Sequence, residues 1–199
     1  MPALLVVGSA PCLHDDLAAA RRLYPDAEVM LVNGACVAVE DADHVLSGHT
    51  AKAYEFAEAR RKAFPNAKPW RLHANCARIN RPPKNEHPDV TDWWGAEFST
   101  GATSAAKAAR IGLQMGFHPV VICGAPMDGS GYFTGESQTG KVITHDCRRV
   151  GDPAHQEHRT INGYREKFAK LAAGEFKGKV FSMSGFTRDQ LGHPADFLK

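Results

Sequence analysis

The chain has 199 residues, 43% of them hydrophobic, with 24 Lys and Arg against 22 Asp and Glu and a formal charge of +2. That is room for one domain with a sizeable core, spanning 1–199, and the composition excludes wholesale disorder. The balanced charge gives no footing to a nucleic-acid binder, the longest apolar runs (residues 3–7 and 119–123) cannot span a bilayer, and the N-terminus lacks the marks of a secretory signal.

Residues 3–7 are an apolar run stopped by Gly8, as in a parallel strand buried on both faces. Ala10-Pro11 makes a turn, and Asp15 or Asp16 is expected to cap a helix with Leu17, Ala20 and Leu23 on its apolar face, ended by Pro25. Residues 28–32 form a second strand, closed by an Asn33-Gly34 turn. Residues 43–47 form a weaker third strand. Thr50 caps a helix to about Phe64, with Ala53, Phe56, Ala57 and Arg60 at helical spacing. Residues 69–73 read as a fourth strand. Residues 75–97, with Pro82-Pro83, Pro88 and Trp93-Trp94, keep no period and read as an irregular insertion with an aromatic anchor. Thr100-Gly101 opens an Ala-rich helix over about 102–115, closed by Gly116. Residues 118–123 are a strongly apolar strand. Residues 124–153 are rich in Gly, Ser, Thr and charge, and are expected to form a mobile loop or short lid. Thr160 starts a last helix with Ile161, Tyr164, Phe168 and Leu171 on one face, and residues 179–183 close the sheet.

Strands alternating with helices predict an α/β fold of three layers: a Rossmann-like, mostly parallel sheet with helices on both faces. Ligands of such sheets sit beyond the carboxyl ends of the strands. The polar, Gly-rich turns here all follow strands, so they converge on one edge. Five cysteines, an odd and widely spaced set without a Cys-x-x-Cys pair, suit a reduced, cytoplasmic protein.

Four groups on that edge could carry chemistry. Gly8-Ser9-Ala10-Pro11 allows a sharp turn whose backbone N–H groups could hold a phosphate, or it is a plain strand–helix turn. It is not the Gly-x-Gly-x-x-Gly fingerprint, so no dinucleotide cofactor is indicated. Ser99-Thr100-Gly101-Ala102-Thr103-Ser104 gathers hydroxyls and free amides at a helix start, either an anion site or ordinary capping. His145-Asp146-Cys147 and His155-x-x-His158 offer a general base in His155, a zinc site, or a set of solvated loop histidines. Asp128-Gly-Ser-Gly-Tyr132-Phe133 could close over a ligand, or be a surface loop with Phe133 packed down.

Taken in order, Gly8-Ser-Ala-Pro-Cys12, Asn33 at the end of strand two, Ser99-Thr-Gly101 before an Ala-rich helix, Gly124 with Asp128, and His155 ahead of the last helix resemble the bacterial CMP-sialic-acid-dependent sialyltransferases. They also look like the related 6-hydroxymethylpterin diphosphokinase-like and flagellin-modification proteins. The sialyltransferase resemblance implies a metal-independent glycosyltransferase using a CMP-linked sugar. In it Gly8, Ser9 and Ala10 line the nucleotide phosphate, and Asn33 contacts the nucleotide or its sugar. Ser99, Thr100 and Gly101 hold the nucleotide from the other half, with Asp128 in the same nucleotide-binding edge. Tyr132 steadies the departing phosphate, and His155 is the general base for the acceptor hydroxyl. The family's first turn usually reads Gly-Asn-Gly-Pro-Ser; Ser9, Ala10 and Cys12 depart from it. The alternatives are a diphosphokinase-like enzyme whose Mg²⁺ would rest on Asp128 and Asp146, and a nucleotide-binding module without turnover. The partners expected are a small-molecule nucleotide and an acceptor.

Overall fold

The computed structural model describes residues 1–48, 52–75, 89–130, 133 and 161–198. Short apolar segments with no polar side to present must be covered on both faces. They become β1 (Leu4–Val7), β2 (Glu28–Val32), β3 (His44–Ser47), β6 (Val120–Cys123) and β7 (Val180–Ser182). With β4 (Arg71–Asn75) and β5 (Asp92–Trp94) they make one sheet in the order β5-β4-β3-β2-β1-β6-β7. Every neighbouring pair is parallel, so the sheet is parallel throughout rather than mostly so.

The helices are α1 (Leu13–Leu23), α2 (Ala53–Ala63), α3 (Ser104–Gln114), α4 (Ile161–Ala173) and α5 (Gly185–Leu191). Alternate strand residues divide the core in two. Leu5, Val7, Leu31, Val45 and Val121 meet Leu13 and Leu17 of α1 and Ala53 and Ala57 of α2. Leu4, Val6, Met30, Leu46 and Ile122 meet the Ala-rich face of α3 and Phe168 of α4. The small residues let α3 sit close: a Cβ on Gly112 would lie 2.5 Å from Leu4 Cδ2. This is the three-layer α/β, Rossmann-like architecture expected from the alternation.

Several local expectations are corrected. Neither Asp15 nor Asp16 caps α1; its N-cap is Cys12, without a side-chain cap. Asp16 is instead buried and used across the fold: Oδ2 accepts the Gly124 amide at 2.8 Å and the Ser184 hydroxyl at 2.6 Å. It thereby joins α1 to the ends of β6 and β7. Asn33-Gly34 does not end in a tight turn but starts a 3₁₀ helix, Asn33–Val37. Arg60, fully buried, closes the segment beyond it by donating to the carbonyls of Cys36, Val39 and Glu40. The third strand is fully buried, not weak. The expected insertion contains β5, where Trp93 and Trp94 anchor opposite faces. The residue capping α3 is Thr103, which accepts from the Ala106 amide; Thr100-Gly101 lies ahead of the helix. The start of the expected lid is packed: Ala125 O accepts from Thr187, and Met127 O accepts from Arg165. Helix α5 was not foreseen. Thr50, Tyr132, His145, Asp146, Cys147, His155, His158 and Thr160 lie outside the described residues, as does most of 124–153.

A polar seam crosses the α3 side of the sheet from β2 to β5. Trp94 Nε1–H can only donate, so His73 Nδ1 accepts it at 3.2 Å. His73 Nε2–H then donates to His44 Nδ1 at 2.9 Å, and His44 Nε2–H donates to Glu28 at 2.7 Å. Burial, then the neighbouring His44, hold His73 well below the usual imidazole range, at about 4, against the pull of Asp92.

Asp16→Ala leaves the buried Gly124 amide and the Ser184 hydroxyl unpartnered, and is expected to lower stability by about 2–4 kcal/mol in urea denaturation. His73 has a folded pKa below its unfolded value, so the folded state binds fewer protons between about pH 6.5 and 4. The stability its neutral ring contributes is present above pH 6.5 and is lost as pH falls through that window. Melting temperature should therefore drop steeply from pH 6.5 to 4.5, and His73→Gln should flatten that slope; an unchanged slope rules the assignment out.

Candidate functional site

Going out from β1 the chain builds β2 to β5 on one side, then returns to add β6 and β7 on the other. The loops after β1 and β6 therefore leave toward opposite faces, the arrangement that opens a crevice at the carboxyl edge. Here the two loops also touch. The Gly8 amide donates to Cys123 O at 2.8 Å, and the Ala10 amide donates to Gly124 O at 2.9 Å. A Cβ on Gly8 would lie 2.6 Å from Gly124 O. The amides of Gly8 and Ala10 are thus engaged within the protein, which removes them as phosphate donors. What this turn presents is Ser9: its carbonyl accepts the Phe133 amide at 2.8 Å, and its Oγ would stand 3.7 Å from a Cβ on Gly34. Phe133 packs down on the core, as one of the two readings of that loop expected.

Beyond Ser9 the ends of β2 and β3 meet the start of α3. Asn33 sits at φ 51°, a left-handed conformation that Asn tolerates better than most residues. This turns Oδ1 to accept the Gly48 amide at 2.8 Å. Gly48 lies against Ser104, the first residue of α3; a Cβ there would be 2.5 Å from Ser104 Oγ and 3.1 Å from Ser104 Cβ. One turn further along α3, Lys107 Nζ reaches the Gly48 carbonyl at 3.4 Å. Burial pushes the Lys107 ammonium below its ordinary range. Sequence reading named Asn33 and Ser104 but missed Lys107. The only signal was a lysine inside an otherwise alanine face.

The remaining expected residues are placed unevenly. Ser99-Thr100-Gly101 approaches the same edge ahead of α3. Thr100 Oγ1 accepts the Ala102 amide at 3.2 Å, and Ser99 O accepts from Arg110 at 3.4 Å. Gly101 is exposed at φ 66° beside Lys167 of α4. Asp128 stands apart in its own exposed turn, with Oδ1 accepting the Ser130 amide at 2.9 Å. Burial opposes its charge, but the Ser130 bonds and Arg165 outweigh that, and its pKa is lowered. Among the described residues no three His, Cys, Asp or Glu side chains gather as metal ligands. No helix among them is long and apolar enough to cross a membrane.

No protein-family model matches the chain, and no curated protein matches it. Solved structures do. The sialyltransferase CstII from Campylobacter jejuni, in complex with the substrate analogue CMP-3FNeuAc, superposes with a TM-score of 0.63 at 10% identity over 99% of this chain and 88% of that one. Two variants of sialyltransferase CstII in complex with CMP give TM-scores of 0.60 and 0.61, each at 10% identity over 100% of this chain and 88% of the other. The shared fold is thereby shown. The diphosphokinase part of the sequence resemblance finds no support in these likenesses.

The abutment of β3 and α3 has a direct test. Gly48→Ala pushes a methyl group into Ser104 and is expected to lower stability by about 1–3 kcal/mol. In a Ser104→Gly background much of that loss should vanish in a double-mutant cycle. Strict additivity would show that the two elements do not touch.

Proposed function

We propose that the protein is a nucleotide-sugar-dependent glycosyltransferase, sialyltransferase-like, with a CMP-linked donor bound at the carboxyl edge of the sheet. The observation that carries this reading is the grouping of Ser9, Asn33 and Gly48 at the ends of three adjacent parallel strands, against the start of α3. Three strand ends and a helix start bring hydroxyl and amide side chains together at the carboxyl edge, where parallel α/β sheets take their ligands. Support comes from the fold likeness, since the structures it resembles hold CMP or a CMP-linked analogue.

In this reading Ser9 lines the nucleotide phosphate and Asn33 contacts the nucleotide or its sugar. Ser99, Thr100 and Gly101 approach from the α3 side, while Asp128, in its separate turn after β6, is not among the residues grouped here. His155 takes the proton of the acceptor hydroxyl. The acceptor oxygen bonds the anomeric carbon as the bond from that carbon to the phosphate oxygen breaks, and CMP leaves with the electron pair. Tyr132 donates to the departing phosphate. Positioning and electrostatic stabilisation supply the rate, and the steps need no metal.

The test is a thermal-shift panel of CMP, CDP, UDP and ATP with and without Mg²⁺, followed by transfer assays with a CMP-linked donor. CMP is expected to raise the melting temperature without Mg²⁺. His155→Ala should cut transfer by about a hundred- to ten-thousand-fold while CMP still stabilises the variant; His158→Ala should leave most of the activity. Stabilisation by ATP only with Mg²⁺, or full activity of His155→Ala, overturns the reading.

A further inference from the structure

Lys107 has an unusual position for a lysine. It rises from an alanine-rich helix whose neighbouring residues Ala105, Ala106, Ala108 and Ala109 are all buried. Lys107 itself is half-buried, and its ammonium reaches the end of β3 at Gly48. Among the described residues its contact is the Gly48 carbonyl at 3.4 Å, a long and neutral one, and it forms no ion pair. The other well-placed cations of the fold are satisfied: Arg110 makes a two-pronged pair with Glu175, Lys68 bridges Asp41 and Asp43, and Arg60 holds three carbonyls. A half-buried cation without a counter-ion is disfavoured, and the disfavour disappears when an anion arrives. Asn33 and Ser104 meet Lys107 at the same residue: Asn33 Oδ1 accepts the Gly48 amide, Ser104 lies against Gly48, and Lys107 reaches the Gly48 carbonyl.

We infer that Lys107 is the phosphate-binding cation of this edge, contacting the monoanionic phosphodiester of the donor and the dianionic phosphate of the released nucleotide. The inference rests on the nucleotide reading above and adds the residue that supplies the charge. The lowering of the Lys107 pKa by burial agrees with it, because a bound phosphate favours the charged form. A purely structural lysine would act through its stem and its carbonyl contact, and would be indifferent to the charge of the ligand.

The experiment compares wild-type, Lys107→Met and Lys107→Arg in the full chain by calorimetry with CMP, cytidine and inorganic phosphate. Lys107→Met keeps the stem and is expected to weaken CMP by about 10- to 100-fold. Cytidine affinity should stay unchanged, and Lys107→Arg should stay within a few-fold of wild-type for CMP. If Lys107→Met binds CMP as tightly as wild-type, the inference falls while the nucleotide reading stands. If wild-type binds no CMP, the nucleotide reading falls, and inorganic phosphate decides for Lys107: a stabilisation present in wild-type and lost in Lys107→Met sustains the anion site, and any other result overturns it. Should Lys107→Met fail to fold, NMR of ¹³C-methylated lysines in wild-type gives the answer, with the Lys107 signal assigned by Lys107→Arg. That signal must move on adding CMP or phosphate; a signal that stays still overturns the inference.

Discussion

The contact on which the rest of the carboxyl edge depends is the carboxylate of Asp16. Strands β1 and β6 run side by side and then diverge to opposite faces of the sheet. A parallel sheet offers no ladder bonds past that point, so something else must fix the separation of the two loops. Asp16 does so from α1, accepting the amide of Gly124 and the hydroxyl of Ser184, with the Cys12 thiol at 3.5 Å. The Gly8 and Gly124 backbones then close to a distance that only glycine allows. Once those two loops are locked, Ser9 stands beside the Asn33-Gly34 segment.

That constraint explains why some features could be read from the sequence and others could not. Leu4–Val7, Val120–Cys123 and Glu28–Val32 are legible because a strand covered on both faces is apolar without interruption, and the surrounding chain has helical periods. Strands β3, β4 and β5 are harder. His44 and His73 are polar yet fully inside, because each satisfies the other across the ladder, so a pattern search sees weakness where there is burial. β5 is three residues long and its aromatic pair faces both ways, which carries no period at all. The capping of α1 was misread for a related reason: an aspartate in the first turn of a helix has the same local appearance whether it caps its own helix or holds a distant loop.

The site was partly legible on the same terms. Asn33 could be found because it ends a clear strand, and Ser104 because hydroxyls cluster before an Ala-rich helix. The amides of Gly8 and Ala10 were expected to face a ligand, yet they face β6, because the pairing of two loops is a long-range fact with no local signature. Lys107 was hidden by the opposite effect. A lysine among alanines on a helix has the pattern of a solvated surface, and only the placement of Gly48 beside Ser104 shows that this side of α3 faces the end of β3.

The sheet thus uses its polar residues in two distinct ways. Along the strands of the β3 side, the chain from Glu28 through His44 and His73 to Trp94 is closed: each donor has its acceptor, and the imidazoles hold one tautomer. Such a seam fixes the register of β2 to β5, since a shift of one residue would turn every member to the other face. It sets where β2 and β3 end, and so where Asn33 and Gly48 stand. Past those ends the polar groups are open: the second lone pair of Asn33 Oδ1, the Ser9 and Ser104 hydroxyls and the Lys107 ammonium are not drawn into a comparable closed chain among the described residues. A closed network stabilises and positions, while an open one is available to a ligand. The division between them falls at the carboxyl ends of the strands, the edge where parallel α/β sheets bind their ligands.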